Sequence, residues 1–176
     1  MIPLPKATLL LIEPDIRMQQ NLAVVLRLAG YEPRFARDAQ EGFAALHTYS
    51  VDLIVLAYRL PEMAGMQFYE TFLMDKKFRE IKNLPVIVMT SEPIPLHEKW
   101  RFFRLGAKAL IIKGTEVNDM IRIIAREVDA YRSAQATPAA VPWRASRPEY
   151  LSYLDQQVVL RTLLENIGKK PKERPA

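Results

Sequence analysis

The chain contains no cysteine, and it has only 6 glycines and 2 histidines among its 176 residues. Without cysteine it can form no disulfide, offer no thiolate to a metal ion and use no cysteine nucleophile. The two histidines, His47 and His97, lie in separate predicted helices, and neither has a serine or an acid at a catalytic spacing. No glycine-rich phosphate loop is present either. We therefore expect no enzymatic activity, no metal site and no cofactor.

Long apolar runs are also absent. The run at residues 7–12 is too short, and too soon followed by acids, for a secretory signal. Nothing approaches the ~18 consecutive apolar residues of a membrane span. The lack of cysteine is compatible with a reducing cytosol. We expect a cytoplasmic protein that has no membrane partner.

The net charge is +5 at pH 7, and the sequence pI is about 9.5. Much of the positive excess lies at residues 168–176, GKKPKERPA. A solvated charged end is the favoured interpretation of this stretch. A patch that binds nucleic acid or another anionic partner is the alternative.

The chain does contain a regular alternation of short strand-like runs and amphipathic helical stretches. The predicted strands cover residues 7–12, 32–36, 52–57, 84–91 and 108–113, and the predicted helices cover 16–29, 39–49, 66–77, 96–106 and 117–131. Five βα units with nearly continuous apolar strands predict an α/β fold with a doubly wound parallel sheet of five strands. In such a sheet the functional site lies beyond the carboxyl ends of the strands. This rule selects residues 13–15, 57–59, 90–91 and Lys113.

The composition changes at Ser133. Residues 133–148 contain three prolines and many small residues, a composition typical of an extended linker. An amphipathic helix is predicted at 149–168, and a basic tail follows at 169–176. Residues 1–132 remain as the main domain.

The predicted C-terminal helix carries an apolar seam with alternating spacings of three and four residues. The seam consists of Tyr150, Tyr153, Gln157, Leu160, Leu164 and Ile167. A helix with such a seam must bury it against its own domain, against a second copy in a homodimer, or in a groove of a different protein. All three alternatives stay open.

From about residue 7 to residue 132 the chain resembles the receiver domain of two-component response regulators. The similarity rests on LLLIEPDIR, DLIVLAYRLPEMAG, PVIVMTS and GAKALIIK, which include the first, third, fourth and fifth predicted strands. It implies a flavodoxin-like sheet with strand order 2-1-3-4-5. It also implies a phosphorylation pocket in which two adjacent acids and a phosphoacceptor Asp bind Mg²⁺, while a Thr or Ser and a Lys bind the phosphoryl oxygens.

Carried onto this chain, the resemblance retains only part of that pocket. Thr90 and Lys113 stand at the hydroxyl and lysine positions, and Glu13 is one member of the acid pair. Pro14 stands at the second acid position. Ala57 stands at the phosphoacceptor position, where a methyl group can neither accept phosphate nor bind a metal ion.

Further departures lie nearby. Gly114 follows the lysine where the family usually has a proline, and Leu110 stands at the usual aromatic position of the fifth strand. Arg59 lies in the loop two residues after Ala57. Together these changes predict a pseudo-receiver, which has the fold without the phosphorylation switch.

The retained pocket residues also have ordinary structural roles. Without the aspartates, we expect Lys113 to form an ion pair with Glu13 or Asp15. We expect the Thr90 hydroxyl to cap the local backbone at the end of its strand.

The fourth predicted helix mixes aromatic and basic residues in EKWRFFRLG. We expect one aromatic side to face the sheet and the other to suit a protein interface. The candidate interface consists of Trp100, Phe103, Arg104, Leu110, Tyr150, Tyr153, Leu160, Leu164 and Ile167. The sequence thus favours a phosphorylation-independent signalling or adaptor module that binds a protein partner. The alternative is a nucleic-acid-associated transcriptional regulator that uses the basic tail and the fourth helix.

Overall fold

The computed structural model describes residues 4–136. Within them, five parallel strands form one sheet in the order β2-β1-β3-β4-β5, which confirms the predicted doubly wound α/β fold. The strands are β1 (Thr8–Ile12), β2 (Glu32–Ala36), β3 (Leu53–Ala57), β4 (Val86–Thr90) and β5 (Ala109–Ile112). The helices are α1 (Ile16–Leu28), α2 (Ala39–Thr48), α3 (Gly65–Met74), α4 (Leu96–Leu105) and α5 (Val117–Ala136), and a 3-10 turn spans Lys76–Phe78.

Both faces of the sheet are covered by helices, which explains why its inner strands β1, β3 and β4 read as nearly continuous apolar runs. Helices α2, α3 and α4 pack on one face, where Phe68, Phe72 and Phe102 are almost completely buried. Helices α1 and α5 pack on the other face through residues such as Leu26 and Ile124. In β3 every side chain is buried, so this strand lies at the centre of the core.

The two edge strands differ in how they are protected. In β2 the second residue is Pro33, which has no amide hydrogen to offer to another strand. In β5, Ile112 leaves 57% of its surface exposed, and Leu110 is only half-buried. The β5 edge is therefore the more apolar of the two.

Helix α5 is longer than predicted and runs to Ala136, so the first four residues of the predicted linker are helical. Its last turns are held to the sheet because the Arg132 guanidinium binds both carboxylate oxygens of Asp52, at 3.1 and 3.2 Å. Although α5 has 20 residues, neither it nor any other helix within residues 4–136 is apolar enough to cross a bilayer. The rest of the linker, the predicted helix at 149–168 and the tail lie outside the described residues.

Candidate functional site

The carboxyl end of β1 places Glu13 beneath the loops, where its side chain is completely buried. Its backbone N–H donates to the Ala36 carbonyl at 2.9 Å, and its own carbonyl accepts from Gln19 Nε2 at 2.6 Å. The carboxylate oxygen Oε1 accepts from Lys113 Nζ at 2.8 Å and from the Asp15 backbone N–H at 3.0 Å. A buried carboxylate needs such partners, because desolvation penalises an unpaired charge.

The predicted pairing of Lys113 with one of two acids is thus resolved in favour of Glu13. The other acid, Asp15, is used as the N-cap of α1: its Oδ1 accepts from Arg17 N at 2.9 Å and from Met18 N at 3.2 Å. Asp15 is exposed, and its carboxylate is used at the helix terminus. It therefore does not supply the second acid of the pair, whose position is occupied by Pro14.

The end of β3 presents Ala57, whose side chain is 1% exposed. The chain then turns back tightly: the Gly65 N–H donates to the Tyr58 carbonyl at 2.9 Å. Glycine is required at position 65, because a Cβ there would overlap the Ala57 carbonyl oxygen. The buried methyl group of Ala57 offers no oxygen to a ligand.

The end of β4 places Thr90 in a closed local turn. Its hydroxyl donates to the Glu92 carbonyl at 2.8 Å and accepts from the Glu92 N–H at 3.2 Å. Thr90 is 2% exposed. The expectation that this hydroxyl caps the local backbone is thus confirmed.

The end of β5 brings Lys113 to the site and then turns at Gly114. The Lys113 N–H donates to the Thr90 carbonyl at 2.6 Å, which ties this turn to β4. Gly114 has φ of +96°, in the left-handed region that favours glycine. The glycine that follows the lysine therefore has a conformational reason of its own.

The donor set at this site does not fit Mg²⁺. Such an ion takes about six oxygen ligands, including carboxylates. Here Pro14 and Ala57 have no side-chain oxygen that could bind the ion, and the Asp15 carboxylate caps a helix. Only Glu13 remains, and its Oε2 is buried without a hydrogen-bond partner among the described residues. Within residues 4–136, no three His, Asp or Glu side chains are grouped so that they could hold a metal ion.

Two side chains tie the loop after β3 to the β4–α4 loop and to the first turn of α4. The Tyr58 hydroxyl donates to Glu98 Oε2 at 2.8 Å, and Arg59 forms an ion pair with Glu92. The Glu98 carboxylate, together with burial, raises the pKa of the Tyr58 phenol. Tyr58 and Arg59 lie within the strand-end residues selected from the sequence, but Glu92 and Glu98 were not selected as site residues. No local signal marks them, because the partners lie 40 and 33 positions apart.

Helix α4 divides its aromatic residues as predicted. Phe102 is buried in the core, Phe103 is half-buried, and Trp100 is 43% exposed beside the exposed Arg104. Leu110 was predicted to belong to the same surface, but its side chain packs partly against the core. The interface candidates Tyr150, Tyr153, Leu160, Leu164 and Ile167 lie outside the described residues.

Comparisons with known proteins agree with this architecture. The family model for the response regulator receiver domain matches residues 9–125. Two-component response regulator ORR3 of Oryza sativa subsp. indica is 27% identical over 131 residues, which cover 72% of this chain and 95% of that protein.

Solved structures show the same fold at low sequence identity. A receiver domain protein (CheY-like) from Methanospirillum hungatei JF-1 aligns with a TM-score of 0.65 and 22% identity, and the alignment covers 73% of this chain and 98% of that one. Chemotaxis protein CheY4 of Vibrio cholerae aligns with a TM-score of 0.61 and 24% identity, with coverage of 68% and 97%.

Proposed function

This chain belongs to the response regulator receiver domain family, and from that premise we propose that it acts as a signalling or adaptor module whose control is independent of phosphorylation. The observation that carries the proposal is Ala57, an enclosed methyl group at the position of the phosphoacceptor. A phosphoryl group transferred to an aspartate needs a carboxylate at that position, and the chain has none there.

The state of the neighbouring residues supports the proposal. In a working receiver the lysine and the hydroxyl bind phosphoryl oxygens. Here the Lys113 ammonium is held 2.8 Å from the buried Glu13 carboxylate, and the Thr90 hydroxyl makes both of its bonds to Glu92. Both groups already have local partners, so neither depends on a phosphoryl group to complete its bonding.

A module of this kind acts by contact with another protein, and the α4 surface is the part of the described chain that we assign to that contact. Trp100 and Arg104 are exposed there, and both residue types are enriched at the energetic centres of interfaces. The partner proposed is a signalling or regulatory protein.

Beryllofluoride tests the proposal, because with Mg²⁺ it imitates a phosphoryl group on an aspartate. Amide spectra of the isotopically labelled full chain would be recorded with and without the reagent, with a receiver that retains its aspartate as the positive control. We expect the control to shift and this chain to give unchanged spectra. Saturable shifts at Glu13, Thr90 and Lys113 would contradict the proposal.

A further inference from the structure

The two residues that follow Ala57 reach across to the β4–α4 loop and to the first turn of α4. Tyr58 donates its hydroxyl to Glu98 Oε2 at 2.8 Å, and Arg59 pairs with Glu92. We call this group of four side chains the clasp. Tyr58 and Arg59 lie in the loop after β3, Glu92 lies in the loop after β4, and Glu98 lies in the first turn of α4.

On the β3 side, the clasp rests on a rigid base. The Tyr58 N–H donates to the Met89 carbonyl at 2.7 Å, and the Tyr58 carbonyl accepts from the Gly65 N–H. The phenol ring packs edge-on against the buried ring of Phe102, with 6.2 Å between the ring centroids. The position of the Tyr58 hydroxyl is therefore fixed by the sheet and the core rather than by its bond to Glu98.

On the α4 side, the clasp reaches a helix start that lacks a side-chain cap. Helix α4 begins after Pro95, which provides no side-chain cap to the free N–H groups of the first turn. Glu98 lies in that first turn. Glu92 lies in the loop before the helix. Its backbone carbonyl accepts from the Thr90 hydroxyl, and its carboxylate pairs with the Arg59 guanidinium. The clasp thus acts on a helix start that has no side-chain cap of its own.

We propose that the clasp holds the β4–α4 loop and the first turn of α4 in one conformation, so that no phosphoryl group is needed to set the α4 surface. This inference rests on the proposed function, and it adds how the surface is fixed. The larger contribution comes from Tyr58 and Glu98, since a partly buried hydrogen bond to a carboxylate is stronger than an exposed ion pair. Arg59 is 76% exposed, so its pair with Glu92 is the weaker half.

Hydrogen exchange of the full-length chain, read by mass spectrometry, tests the clasp. The variant Tyr58→Phe keeps the ring against Phe102 and removes only the hydroxyl. We expect amides in residues 91–99 to exchange about fivefold to tenfold faster than in the wild type. Amides of β1 and β3 should keep their wild-type rates.

The chain offers a matched control at the opposite end of the same helix. The Tyr69 hydroxyl donates to the Leu105 carbonyl at 3.2 Å, so Tyr69→Phe removes one tyrosine hydrogen bond to α4 without touching the clasp. Its effect should fall on the last turn of α4 and not on residues 91–99. Adding Glu98→Gln to Tyr58→Phe should change exchange little further, because the two groups act through one bond.

The clasp is overturned if Tyr58→Phe leaves residues 91–99 at their wild-type rates, or if it accelerates exchange evenly over all strands and helices. The beryllofluoride experiment separates this failure from failure of the proposed function. Spectral shifts with that reagent would contradict phosphorylation independence even where the exchange result supports the clasp. Unchanged spectra with unchanged exchange would contradict the clasp alone.

Discussion

The ammonium of Lys113 and the carboxylate of Glu13 meet at 2.8 Å across the site, although β5 and β1 are separated in the sheet by β4 and β3. The ion pair therefore passes over the ends of the two intervening strands, β3 and β4, where Ala57 and Thr90 lie. Neither Ala57 nor Thr90 carries a charge. One ion pair thus balances the only buried carboxylate that we find among the site residues.

Removing the lysine from this pair should destabilise the protein. In Lys113→Met the buried Glu13 charge loses its counterion, and we expect the free energy of unfolding to fall by about 3 kcal/mol. Urea unfolding followed by circular dichroism measures the change. The double variant Glu13→Gln with Lys113→Met removes both charges and should recover most of the loss.

The control for this prediction is an exposed ion pair at the same edge of the sheet. Because Arg59 is largely solvated, Arg59→Ala should lower the free energy of unfolding much less than Lys113→Met does. If Lys113→Met were no more destabilising than Arg59→Ala, the buried bridge would have no special structural role.

Placing an acid at position 57, at the centre of the site, should also lower the stability of the fold. Ala57 is buried, and Lys113 already pairs with Glu13, so a second carboxylate in Ala57→Asp would have to compete for that ammonium. We expect a loss of about 2 kcal/mol or more at pH 7 in the absence of divalent ions. Thermal unfolding of Ala57→Asp and Ala57→Asn, which differ mainly in charge, separates the electrostatic cost from the steric cost. Equal losses in the two variants would show that charge is not the cause.

High pH should weaken the fold partly through Tyr69. Burial raises the pKa of Tyr69 from 10.0 to about 12. Since the unfolded chain loses this proton near pH 10 while the folded chain keeps it, the contribution of Tyr69 to stability is fully present below pH 10 and is lost as the pH rises towards 12. The stability of Tyr69→Phe should therefore fall less steeply over that interval, by up to about 2 kcal/mol in total. Parallel stability curves for the two proteins, from denaturant unfolding at each pH, would contradict the assignment.

The strands and the positions of Ala57, Thr90 and Lys113 at their ends could be predicted because they depend on local patterns, whereas the strand order in the sheet was implied by the resemblance to receiver domains. Buried parallel strands leave uninterrupted apolar runs, and the loops that follow them are found by counting. For Lys113 the sequence predicts an ion pair with either Glu13 or Asp15, without deciding between them. Lys113 pairs with Glu13 because the Asp15 carboxylate is used to cap α1. The spacing of the two acids in the sequence does not show which of them caps the helix.

The clasp and the length of α5 were missed because they depend on distant contacts. Tyr58 and Glu98 are 40 positions apart, and although each lies in a stretch singled out from the sequence, nothing in either stretch indicates that the two side chains meet. The end of α5 was predicted at the change of composition near Ser133. The helix continues because Ser, Ala and Gln are compatible with it and because Arg132 is anchored to Asp52 from across the fold.

The central claim is that this receiver cannot be phosphorylated at its strand-end site. The most direct measurement is the intact mass of the full chain after incubation with acetyl phosphate and Mg²⁺, beside a receiver that retains its aspartate. We predict that the control gains the mass of one phosphoryl group and that this chain does not. A stoichiometric phosphoryl adduct on the wild-type chain would contradict the account.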